Sequence, residues 1–173
     1  PGAEVLLLAL PTEAVEPQAE ILAPILEPGH TLVNMATAAS TKPLYALAGN
    51  HFAVVAAKVA GHAGEMARGE RPVVVCEGSD PQAVARVRQV LAPVGDTVEG
   101  PEEWVSRLNT LAAMEAVRAA ERFRVAVEKE GLPAQFWSVG LRQVLAGTLR
   151  AYAVGEAGPF VRGLLARIRE EEP

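Results

Sequence analysis

Disulfides, zinc sites and membrane spans have no raw material in this sequence. Cys76 is the single cysteine, which excludes an internal disulfide, and the three histidines, His30, His51 and His62, are not at zinc-ligand spacing. No metal is expected. Aromatic residues make up only 5% of the chain. No apolar run reaches the length needed to cross a bilayer, and the first segment lacks the basic start of a signal peptide. A membrane partner is therefore not expected, and the cytoplasm is the expected location. Positive charge is also short: Lys+Arg number 16 against 21 Asp+Glu, for a net charge of -5, and the basic residues are scattered. That distribution argues against a nucleic-acid partner.

What is present is apolar surface. Half of the 173 residues are hydrophobic, enough to bury a core in one domain or two small ones. Thirteen arginines against three lysines is a thermophile-like balance that coding bias also produces.

The front half alternates short apolar runs with helical patterns. Val5 to Leu10 is a continuous apolar run ended by Pro11 and Thr12, and reads as a strand buried on both faces of a parallel sheet. Residues 13–27 place Val15, Ala19, Leu22 and Leu26 on one helical stripe, with Pro17 fitting an opening turn and Pro24 shortening or kinking the helix. Thr31 to Met35 reads as a second strand. Thr41 is a candidate N-cap for a short helix from Lys42 to Leu47 that Gly49-Asn50 ends. Residues 51–60, HFAVVAAKVA, form a third strand candidate. Glycines at 61, 64 and 69 argue against a regular element in the next loop. Residues 71–78 give a fourth strand, in which Cys76 reads as a small buried residue. Ser79-Asp80-Pro81 opens a helix over 81–92, and GDTVEG closes the half as a short extended piece.

From Pro101 onward the pattern is helical throughout. Val105, Leu108, Ala112, Ala116, Ala119, Phe123 and Val127 recur at three- or four-residue steps over 101–130, and Gly131 and Pro133 end the run. A second helix over 133–153 tolerates Gly140 and Gly147, and a third spans 159–170. Its small-residue faces suit close helix packing, either internal or between subunits. The acidic tail, Glu170 to Glu172, opposes the helix dipole and is expected to fray. The expected architecture is α/β, the rear part of a Rossmann-like parallel sheet (1–100) followed by an all-helical C-terminal domain (101–173).

Several segments in this order resemble the 6-phosphogluconate dehydrogenase-like superfamily, above all its β-hydroxyacid dehydrogenases, from the fourth strand of their Rossmann domain onward. VLLLALPTEAV resembles the strand and loop that pass beside the dinucleotide, and TLVNMATAAST the strand and loop at the nicotinamide end. Residues 58–101 are similar to the segment that carries the substrate loop, and SRLNTLAAMEAVRAAERFRVAVEKEGLP to the interdomain helix. Deazaflavin-dependent NADP reductases and pyrroline-carboxylate reductases share several of these segments. The resemblance implies NADP or NAD as cofactor, hydride transfer to or from a small oxo, imino or hydroxy-acid substrate, and a homodimer formed through the helices.

Two departures qualify it. The family's G-x-G-x-x-G loop, which sets helix N-terminal amides on the pyrophosphate, occurs nowhere in the sequence. Either the chain is the rear portion of a larger oxidoreductase, or it no longer holds a dinucleotide in the usual way. The β-hydroxyacid dehydrogenases also place a lysine on the long helix one turn before an asparagine. Matching on Asn109 puts Val105 there, which cannot move a proton.

On this reading His62, Arg107 and Asn109 are the substrate-side candidates. An imidazole in the substrate loop can orient a carbonyl or donate a proton, and a guanidinium can hold a carboxylate. The plain alternatives are a loop histidine bonded to backbone and a surface arginine paired with Glu103. Pro11, Thr12, Asn34 and Thr37 are the cofactor-side candidates, because they lie at or just beyond two strand ends. Ordinary turn chemistry is their alternative. Lys58 reads as a strand-end lysine facing solvent and Trp104 as a core anchor. Two competing functions remain open: a non-enzymatic dimeric or regulatory module derived from such an enzyme, and a deazaflavin-dependent NADP reductase.

Overall fold

The computed structural model describes residues 2–171; of the acidic tail, Glu172 lies outside them. The chain divides into two compact units, one ending at Ala112 and the other beginning at Ala113, so the break falls inside a long helix.

The first unit is a five-stranded sheet in the order β1-β2-β3-β4-β5. β1 (Val5–Leu8), β2 (Thr31–Asn34) and β3 (Ala53–Ala60) run parallel, joined by α1 (Thr12–Leu22), a 3-10 turn (Ala23–Ile25) and α2 (Lys42–Ala48). Pro24 converts the end of the first helix into that 3-10 turn. Successive residues of a strand face opposite sides, and both sides here are apolar. Leu32 and Val54 pack under α1 and α2 with Leu8, Val15, Ala19 and Leu44. Val33 and Val55 pack on the other side with Val74, Cys76, Val84 and Val87 of later elements.

β4 (Val73–Gly78) runs antiparallel to β3, whereas β5 (Asp96–Glu99) is parallel to β4. The connection from β3 to β4 holds only the one-turn helix α3 (Ala63–Met66), too little for a crossover that returns to the starting edge, so the chain reverses beside β3. That turn is regular despite its glycines, because His62 caps it. α4 (Pro81–Leu91) then returns across the sheet, its N-terminus capped by Asp80, whose side chain accepts from Gln82 N–H at 2.8 Å.

The first strand departs from expectation. Among the described residues β1 is an edge strand that pairs only with β2, and its Leu7 is exposed where burial on both faces was expected.

α5 (Glu103–Lys129) carries the chain from the first unit into the second. In the second unit, the helix expected over 133–153 is three pieces: α6 (Gln135–Val139), a π-helical stretch (Gly140–Leu145) and α7 (Ala146–Ala153). Gly140 is buried against the Phe123 ring, which a Cβ at this position would strike. α8 (Pro159–Glu171) closes the chain. Phe136, Val144, Leu149, Tyr152 and Phe160 of this unit are exposed.

Candidate functional site

In an open parallel α/β sheet, ligands collect where strands end at their carboxyl termini and the chain turns away. Here three neighbouring strands end in that way. β1 is followed by Pro11 and Thr12, β2 by the loop 35–41 with Thr37, and β3 by His62. Pro11, Thr12, Thr37 and His62 are all exposed along this rim. Pro11 sits at the N-cap of α1 and Thr12 is its first residue, with Ala14 N–H donating to the Pro11 carbonyl at 3.0 Å.

His62 has a defined role in the loop. Its Nδ1 accepts from Gly64 N–H at 3.2 Å, which requires the ring proton of the neutral form to sit on Nε2. The Nε2–H of this exposed residue can therefore donate to a ligand oxygen.

Asn34 lies at the same strand end but is fully buried and faces inward. Its Nδ2 donates to Ala39 O at 3.0 Å and Thr41 Oγ1 at 2.9 Å, and its Oδ1 accepts from Ala36 N–H at 3.1 Å. It shapes the loop and has no free polar atom to offer a ligand. Thr41 is likewise diverted from the expected role: it stands at the N-cap of α2, but its hydroxyl makes no cap bond. The hydroxyl donates to Glu102 Oε2 at 2.6 Å, and Thr41 N–H donates to Glu102 Oε1 at 2.9 Å.

Lys58 overturns the reading of a solvent-facing lysine. It is 1% exposed, with Nζ donating to Ala36 O at 2.6 Å and Ala39 O at 2.7 Å and lying 3.4 Å from Glu102 Oε2. The ammonium's three protons thus have three acceptors. Burial lowers its pKa below the ordinary lysine value, and the Glu102 carboxylate offsets part of that shift. Glu102 is itself buried just before α5, where its backbone N–H donates to Glu77 Oε2 at 2.7 Å.

The signal for this pair was present in HFAVVAAKVA. Val54, Ala56 and Lys58 share one face of a strand, and a charge on a buried face requires a buried partner. That the partner would be Glu102 was not legible, because the two meet only through tertiary folding.

Arg107 and Asn109 lie on α5 beyond Val105, which is 1% exposed and belongs to the core. Arg107 is exposed, and Asn109 is half-buried. Among the described residues Arg107 makes no ion pair with Glu103, and neither Arg107 nor Asn109 is hydrogen-bonded to the rim residues. Trp104, expected in the core, is half exposed and lies over Gly100.

A separate cavity of about 760 Å³ opens at the opposite, amino-terminal end of β2 and β3. His30, His51, Tyr45, Asp80 and Arg86 are among its walls. Arg86 is already engaged with the Gly29 carbonyl at 3.0 Å, and His30 Nδ1 accepts from Glu27 N–H at 2.8 Å. The cavity lies at the amino-terminal ends of β2 and β3, away from the carboxyl-end rim where ligands of open α/β sheets collect. Among the described residues no cluster of His, Cys, Asp or Glu can hold a metal ion, and no helix is long and apolar enough to cross a membrane.

A mostly parallel sheet whose strand-end loops gather at one rim, followed by helices, is a Rossmann-like α/β arrangement. Solved structures of oxidoreductases share it. A pyrroline-5-carboxylate reductase from Coxiella burnetii superimposes with a TM-score of 0.69 at 17% identity, covering 95% of this chain and 63% of that one. A 3-hydroxyisobutyrate dehydrogenase from Mycobacterium tuberculosis, solved with L-serine, gives 0.62 at 23% identity, covering 82% and 52%. A Plasmodium falciparum pyrroline carboxylate reductase with NADP bound gives 0.61 at 11% identity, covering 97% and 70%. The chain spans about half to two-thirds of the length of these proteins. No protein-family model and no curated protein matches it.

Thr37 and Ala38 are the small exposed residues of the 35–41 loop at this rim, and the sequence holds no G-x-G-x-x-G loop.

Proposed function

We propose that the chain carries the nicotinamide-end and substrate-side portion of an NAD(P)-dependent oxidoreductase acting on a small oxo, imino or hydroxy-acid substrate. The observation that carries this reading is the convergence of three consecutive strand-end loops on one rim of a fold shared with pyrroline carboxylate reductases, one of them solved with NADP bound. A bound nicotinamide supplies or accepts a hydride. The chain's own part is to position the ring near Thr37 and Pro11-Thr12 and to donate from His62 Nε2–H to a substrate oxygen. Arg107, which makes no ion pair among the described residues, is the candidate for a substrate carboxylate, and Asn109, two residues on and so on a different face of the helix, is a separate candidate.

Two observations bear on the kind of reaction. Val105, which the match on Asn109 sets at the lysine position of the β-hydroxyacid dehydrogenases, is a buried valine, and all three Lys58 protons are engaged, so neither residue supplies the acid. This favours a reaction needing no lysine acid, such as the deazaflavin-dependent reduction of NADP, or a non-enzymatic module. The exposed apolar residues of the helical unit support a homodimer.

The test is a fluorescence titration with NADPH and NADH, followed by NADPH oxidation with and without a deazaflavin. Sedimentation of the same sample is expected to give twice 18.2 kDa. Saturable binding below about 1 mM is expected. A dimer with no saturable binding favours the module, and a monomer contradicts the homodimer.

A further inference from the structure

We infer that Lys58 and Glu102 are positioning residues that hold the 35–41 loop in a single conformation for the nicotinamide end of the cofactor. The inference rests on the oxidoreductase reading of the same rim. Both residues lie outside the loop they hold. Lys58 reaches it from β3 and grips the carbonyls of Ala36 and Ala39, while Glu102 reaches it from the foot of α5 and takes the N–H and hydroxyl of Thr41.

Their contact at 3.4 Å joins the two grips. Between the anchored points stand Thr37 and Ala38, the exposed centre of a turn closed by Ala39 N–H donating to Ala36 O at 3.2 Å. The loop is thus fixed on both sides of the residues it presents.

Stability alone gives little reason for such a pair. Asn34 already closes the loop through Ala36, Ala39 and Thr41 without any charge. Burying an ion pair carries a desolvation cost that an apolar pair of similar volume avoids. What the charges add is tethering: the ammonium holds two loop carbonyls and the carboxylate holds the Thr41 N–H and hydroxyl, each through stronger, charge-assisted bonds.

The experiment compares the full chain with Lys58→Met, Glu102→Gln, the Lys58→Met/Glu102→Gln double variant and Lys58→Arg. Two quantities are read: hydrogen exchange of the 35–41 amides, with β3 and β4 amides as internal reference, and NADPH affinity from the fluorescence of the reduced nicotinamide. The double variant leaves no buried charge unpaired, so it remains informative if Lys58→Met fails to fold.

Faster exchange confined to the loop is expected, with NADPH affinity weaker by about tenfold or more. Lys58→Arg, which keeps the charge, is expected to recover part of both. A folded double variant whose loop exchange and NADPH affinity stay within about twofold of the unsubstituted chain overturns the inference. If the unsubstituted chain itself binds no NADPH, the oxidoreductase reading fails, and the cofactor-positioning role fails with it. Saturable binding that is equal in all variants overturns the positioning role alone.

Discussion

An ammonium can serve as a general acid only if one of its protons is free to leave toward substrate, and Lys58 has none free. Its neighbour Asn34 is spent in the same way, on the loop instead of a ligand. Burial has a similar effect on Tyr45, whose hydroxyl donates to the Glu77 carbonyl at 3.2 Å. Burial, then the charges of Glu77 and Glu102, push its pKa from the ordinary 10.0 up to about 12.

The fold therefore keeps this phenol protonated where the unfolded chain begins to lose its proton. The stability it contributes is whole below pH 10 and is lost as the pH rises toward about 12. Tyr45→Phe is expected to flatten that alkaline limb, measured as urea midpoints at pH 9, 10.5 and 12. Parallel pH profiles for the two proteins contradict the assignment.

At this scale the sequence was least informative. Thr37 and Pro11-Thr12 were singled out because they follow strand ends, and His62 because its loop resembles the substrate loop. The roles of Lys58 and Thr41 could not be read, because they depend on Glu102, 61 residues from Thr41 along the chain; Asn34 could not because its bonds to Ala36, Ala39 and Thr41 form only once the loop has folded.

Elements were more legible, because apolar periodicity reports directly which face is buried. All five strands and the long helix stand close to where the pattern puts them, and Pro24 ends α1 as its missing N–H and fixed ring dictate. The reversal of β4 escaped, since an apolar run reads the same in either direction and only the length of the preceding connection carries the information.

The π-helical stretch escaped as well. One observation at that stretch gives a paired test. Gly140 faces the Phe123 ring, whereas nothing lies within 4 Å of a Cβ at Gly147. Replacing glycine by alanine within a helix ordinarily stabilises by up to about 1 kcal/mol. Gly147→Ala is expected to follow that rule. Gly140→Ala is expected to destabilise by about 1–2 kcal/mol as the ring is displaced. Urea unfolding of the two variants checks the contrast, and equal shifts in the same direction would remove the role given to Gly140.

For the whole molecule, an α/β sheet followed by helices was readable from the change in period near Pro101, but the unit boundary was not. The compact units part at Ala112, inside α5, because a continuous helix leaves no mark in the sequence where its tertiary partners change. An apolar run such as VLLL tells that a strand forms, and not how many neighbours it has.

The central claim is that the carboxyl rim of β1, β2 and β3 receives a nicotinamide. Hydrogen exchange across the full chain, with and without saturating NADPH, tests it most directly. Protection concentrated in residues 9–14, 35–41 and 61–66 is the expected result. Protection at the opposite cavity, around His30, His51 and Asp80, or no change at the rim, would contradict it.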